Sequence, residues 1–257
     1  LHRLIRRQRQ MCIRDRLWNK LADVDTLLIR RRKDENIAEI KQQAMKADIN
    51  TIFSYDLING LKEVTYDNTI SIGNLEMSAS APKNEREINR DSRCALSFPY
   101  LLLQVLYRQL SKKNDCRIDE LSKKINYSVN DFFKPSSLLG IFEKFLPYSG
   151  SNINKDAIKE FMGMLVRARL ALDICFIRPT EYGYTLDMNL DEDNSVLRKL
   201  LMFQSMLYVS SSNYTDYRWF NWLMDEVDKD GIPDAESLYT ALKRNADEEF
   251  PLSLIHI

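Results

Sequence analysis

The stretch SFPYLLLQVLYRQL, residues 97–110, constrains the fold more than any other part of the chain. Ser97 can cap a helix, and Pro99 falls in the first turn, where a missing amide hydrogen costs nothing. Beyond the proline the segment is apolar almost all round. A helix of that kind has no face to offer water and must sit inside a core, surrounded by other elements. The rest of the sequence therefore has to supply amphipathic partners that wrap it.

The partners are legible as helices. Leu17, Leu21, Val24, Leu27 and Leu28 recur at three and four residue spacing over 16–32, and Ile37, Ile40 and Ala44 share a face over 35–47. Short helices are expected at 119–125 and 136–145. A long amphipathic one is expected at 156–176, with Ile158, Phe161, Met162, Leu165, Ala168 and Leu172 on one stripe. Three more, at 195–209, 215–227 and 235–246, each follow a residue able to cap them, and their short connections imply antiparallel neighbours. Two places break the helical period. Val64, Tyr66, Ile70 and Ile72 alternate around Asp67-Asn68, which suits a hairpin over 62–72, and Tyr182, Tyr184, Leu186, Met188 and Leu190 alternate as a strand. Residues 78–93 are polar and aperiodic, as in a linker or long loop. The expected fold class is mainly α, an irregular helical bundle with one or two short β-hairpins.

The termini have a different character. RRQRQMCIRDR, residues 6–16, suggests a phosphate-binding arm or a transit peptide, but it has no serine and no clear amphipathic face. Back-translation gives a third reading. Residues 1–15 can be written as the codons of a sequencing-library adapter running into a transposase mosaic end. Residues 252–257 can be written as the reverse complement of that same end. On this reading 1–15 and 252–257 are adapter-derived, 16–93 holds N-terminal helices and a polar linker closing an upstream domain, and 94–251 is a helical domain of a longer protein. Setting aside five arginines and one aspartate leaves 32 basic against 36 acidic residues, a net charge near −4. There is then no global basic field to attract nucleic acid.

The same trimming removes both histidines, His2 and His256, and Cys12. Residues 16–251 therefore hold no Ser-His-Asp or Cys-His system and no His-bearing metal site. Cys94, Cys116 and Cys175 form no CxxC pair and read as reduced thiols of a cytosolic protein. No apolar run reaches the length of a membrane span. No catalytic residue, metal or cofactor is expected to belong to this stretch.

Four local motifs bear on chemistry. Arg30, Arg31, Arg32 and Lys33 lie at the end of the first expected helix, where cations oppose the helix dipole; they are also the best available contact for DNA phosphates. Glu226, Asp228, Asp230 and Gly231 resemble the start of a calcium loop, but position twelve is Ser237 instead of a bidentate glutamate. The plainer reading makes Gly231 a helix C-cap and Asp234 the cap of the next helix. Asp187, Asn189, Asp191 and Asp193 repeat the acidic alternation without a glycine and suit a helix start, with a metal as the weaker reading. Tyr214, Tyr217, Trp219, Phe220 and Trp222 could stack bases, yet Arg218 is the only cation nearby in sequence, so packing or docking is favoured.

Two segments, SFPYLLLQVLYRQL at 97–110 and LRKLLMFQSMLYVSSSNYTDYRWFNWLM at 197–224, resemble the helical region downstream of the catalytic domain in GmrSD-type restriction proteins. The resemblance implies a phage-defence role through nucleotide-dependent cleavage of modified DNA, with DNA and an upstream ParB-like domain as partners. The family's Asp-Gly-Gln-Gln-Arg motif and its His-containing nuclease domain are absent from this sequence, so no catalytic residue carries over. The expected role is a non-catalytic helical region that positions DNA or partner domains. The alternative is a helical protein-interaction scaffold unrelated to nucleic acid.

Overall fold

A computed structural model describes residues 18–19, 21–24, 94–147, 153–180, 183–186, 188, 195–210 and 219–249. Among these residues the protein is mainly helical, with a single two-stranded hairpin. Helix α1, Phe98–Lys113, is the buried element that the sequence demanded: every side chain from Tyr100 to Ser111 is buried. Ser97 occupies the N-cap in extended conformation, but its hydroxyl makes no capping bond; Leu101 N–H donates to its carbonyl instead. The helix runs three residues past the expected end, and Lys112 and Lys113 face the negative end of its dipole.

Two single-turn helices follow, α2 at Leu121–Lys124 and α3 at Val129–Phe132, the second unforeseen. A 3₁₀ turn at Pro135–Ser137 then leads into α4, Leu138–Phe145. This part carries an aromatic nest, in which Phe132 meets Tyr107, Phe133 and Phe145 at ring separations of 4.9, 5.4 and 5.7 Å. Helix α5, Lys155–Cys175, is the long amphipathic helix, and its cap is local: Asn154 Oδ1 accepts from the amides of Asp156 and Ala157. Its other end is held from outside the segment. Gln204, fully buried, donates from Nε2 to the Cys175 carbonyl and accepts the Ile177 amide on Oε1, satisfying the chain where it leaves the helix.

The strand expected after Pro179 is shorter than its alternation suggested. Strand β2, Gly183–Thr185, pairs antiparallel with β1, Arg178–Thr180, in the register Arg178 opposite Thr185. Helices α6 (Ser195–Ser210), α7 (Trp219–Asp230) and α8 (Ala235–Glu249) complete the bundle. Gly231, with φ of 92°, makes the turn between α7 and α8, and its amide donates to the Val227 carbonyl. Asp234 then caps α8, accepting the amides of Glu236 and Ser237. Helix α1 packs on α5, α5 also meets α7, and α8 lies against both α6 and α7. Leu21, Leu101, Leu106, Leu165, Leu200, Leu223 and Leu238 all lie in one core and are fully buried. The described residues of the first helical segment thus pack on the body formed by residues 94–249.

Candidate functional site

Seen from within the apolar α1, three polar side chains stand out: Gln104, Arg108 and Lys112, each four residues from the last and hence on one face. Facing them on α7 are Asn221, Asp225 and Asp228, four and three residues apart and so also on one helical face. Arg108 Nη2 donates to Asp225 Oδ1 at 2.5 Å and to Asp228 Oδ2 at 3.0 Å, while Nη1 reaches the Asn221 carbonyl at 3.4 Å. Lys112 Nζ donates to Asp228 Oδ2 at 2.7 Å, and Asn221 Nδ2 donates to Gln104 Oε1 at 3.0 Å. The arginine side chain is 7% exposed and that of Asp228 23%, while Asp225 and Lys112 are 56% and 49% exposed, so the charge pairing runs from the interior at Arg108 out to the solvent. Burial alone would raise the Asp228 carboxyl; Lys112 and Arg108 together outweigh it and hold it below the ordinary aspartate value.

This polar seam forms one wall of a cleft of about 550 Å³, a size that suits a small ligand or a segment of a partner. Tyr107, Phe133 and Trp222 supply aromatic surface, and Cys116, Arg117 and Asp119 line it from the loop after α1. Asn245 and Glu248 close it from α8. Three cations, Arg108, Lys112 and Arg117, and three carboxylates, Asp119, Asp225 and Glu248, line it, so the cleft carries no net charge of either sign.

A second polar cluster lies deeper. Asp173 on α5 accepts from Arg169, one turn earlier, and from Arg178 on β1 at 3.0 Å. All three side chains are at most 4% exposed. The same arginines donate to the carbonyls of Asp23 and Val24, at 2.9 and 2.8 Å, which fastens the N-terminal segment to the body. Cys94 lies close by, and burial pushes its thiol up to about 11, against the opposing pull of the Leu96 amide and the arginines.

The motifs singled out by sequence are distributed as follows. Arg30, Arg31, Arg32 and Lys33 lie outside the described residues, as do the hairpin expected at 62–72 and the alternating residues Asp187, Asn189, Asp191 and Asp193. Two of the calcium-like acids have partners of their own. Asp228 faces Arg108 and Lys112, Glu226 pairs with Lys229 at 2.6 Å, and Asp234 caps α8. Among the described residues no three His, Cys, Asp or Glu side chains converge as metal ligands. Of the aromatic run, Trp219 and Phe220 are core residues, Trp219 stacking on Phe176 with ring centroids 4.1 Å apart. Trp222 alone reaches the cleft, where Arg108 and Lys112 from α1 provide cations that counting neighbours in sequence could not reveal. Tyr214 and Tyr217 lie outside the described residues. No disulfide joins Cys94, Cys116 or Cys175 among the described residues. No described helix is long and apolar enough to cross a membrane.

The chain matches no known family, no curated protein and no solved structure.

Proposed function

We propose that this chain is a non-catalytic helical region of a GmrSD-type phage-defence restriction protein, positioning DNA or partner domains for nucleotide-dependent cleavage carried out elsewhere in a longer, cytosolic protein. One observation carries the reading. The two stretches that bear the resemblance, 97–110 and 197–224, come together through Gln104, Arg108 and Asn221, and both contribute to the cleft. Its polar side chains engage one another across helices, an arrangement that fixes helix against helix and suits a positioning element. Recovering the reading frame upstream of residue 16 tests the idea: Asp-Gly-Gln-Gln-Arg is expected there, and a complete upstream frame without it sinks the proposal.

The scaffold reading has its own support in α6. Met202, Met206 and Val209 are 73%, 55% and 70% exposed and fall on one helical face, a stripe of flexible apolar side chains suited to a protein partner. Binding of duplex DNA by the chain, weakening steeply as salt rises, favours the first reading. No retention of DNA even at low salt favours the scaffold.

A further inference from the structure

Of the large apolar side chains exposed among the described residues, Met202, Met206 and Val209 are the only ones that share a helix, α6. With the exposed Lys199 they fall at steps of three, four and three, the alternation by which a helix offers one narrow seam to another. Phe203 and Tyr208 turn to either side of the seam, where their half-buried rings meet Tyr239 of α8 at 5.7 Å and Tyr184 of β2 at 5.8 Å. No acidic residue occurs on α6. Methionine and aromatic surface without carboxylates is the composition that protein interfaces favour at their centre.

The seam is the same read in either direction. Lys199 and Val209 stand equally far from Gln204 along the helix, and so do Met202 and Met206. A two-fold axis level with Gln204 therefore sets Met202 on Met206 of a second copy, twice over, and Val209 on the aliphatic stem of that copy's Lys199. Charge decides the direction. In a parallel pair the two Lys199 ammonium groups would stand side by side; in an antiparallel one the helical rise from 199 to 209 parts them by about 15 Å, beyond the roughly 8 Å screening length of physiological salt. The antiparallel arrangement also brings each Lys199 to the last turn of the other α6, which has no basic residue of its own to meet the negative end of its dipole.

We propose that the Lys199, Met202, Met206 and Val209 face of α6 pairs antiparallel with the same face of a second copy of this chain. The seam offers on the order of a few hundred Å² of apolar surface, less than the roughly 800 Å² that each partner commits to a stable complex, so the pairing is reversible, with a Kd of about 10–100 μM. It uses the stripe that supports the scaffold reading but stands whether or not the chain serves DNA cleavage, so its failure leaves both readings in place.

Sedimentation equilibrium of the full chain over about 1–500 μM, a range that brackets this Kd, is expected to show the mass rising from one chain towards two. Met202→Glu sets a carboxylate against the second copy's Met206 and weakens the pairing about tenfold or more, as does Met206→Lys. Mixed in equal amounts, the two variants set opposite charges against each other and recover the dimer, which only antiparallel pairing allows. Both positions are exposed, so the helical circular dichroism of each variant is unchanged. A single-chain mass throughout the range, which would leave the seam to a different protein, a dimer that Met202→Glu leaves intact, or a mixture no tighter than its components each overturn the proposal.

Discussion

Two aspartates in this molecule each sit between two cations, and they differ in almost everything else. Asp173 holds Arg169 and Arg178, its neighbours by four and five residues, in a place essentially closed to water. Asp228 holds Arg108 and Lys112, more than a hundred residues away in sequence, and these two cations line an open cleft where Lys112 is half exposed. The contrast separates two uses of one chemical motif. The inner cluster is assembled largely within one stretch of chain and spends its remaining donors on the carbonyls of Asp23 and Val24, so it acts as a fastener. The outer one joins two distant helices, and its cations Arg108 and Lys112 face the cleft.

The difference can be broken at its strongest point first. Asp173→Ala leaves two deeply buried guanidiniums without the carboxylate they share. It is expected to cost about 3–5 kcal/mol, a fall of roughly 10 °C in Tm, measured by denaturant and thermal unfolding. A loss below about 1 kcal/mol would put the inner cluster on the same footing as the outer one. Leu21→Ala probes what the fastener holds in place. Leu21 is fully buried, so the loss of packing should cost about 2–4 kcal/mol, and proteolysis near residues 18–24 should quicken relative to the helices of 94–249.

Asp228→Asn is the mildest and the most specific change, expected to lower neutral-pH stability by about 1 kcal/mol. Because the folded state holds this carboxyl below its ordinary value of about 3.9, its stabilisation is complete above that pH and is lost as pH falls through the lower folded value. The variant should therefore lose less stability than wild type between pH 4 and pH 2. Parallel acid-unfolding curves for the two proteins would remove Asp228 from the account.

How far this contrast was readable in the sequence follows from where each contact partner lies. Helices α1 and α5 were legible because an apolar surround and a long stripe leave few alternatives, and Asp234 because a cap acts within three residues. The single turn α3 was missed: Val-Asn-Asp-Phe is too short for any periodicity. Strand β1 was missed because Arg-Pro-Thr has a proline where a ladder needs a donor; it forms as one edge of a two-stranded hairpin, where that donor is dispensable. The far end of α5 depends on Gln204, which no local signal near Cys175 announces. The cleft was hidden for the same reason, although polar residues at 104, 108 and 112 inside an apolar helix were a signal in plain view. A charged side chain at such a place needs a partner, and only the folded chain identifies it as α7.

The stacking of Phe176 on Trp219 also bears on how the chain can be observed. Its three tryptophans occupy three environments: Trp18 is 40% exposed beside Phe98, Trp222 borders the cleft, and Trp219 is 1% exposed with its ring nearly parallel to Phe176. In fluorescence the protein thus carries its own set of probes. An aqueous quencher reaches Trp18 freely and Trp219 only on unfolding, while Trp222 is the emitter whose accessibility changes when the cleft is filled. A ligand or partner can therefore be sought without any label, by asking which of the three lights it shields.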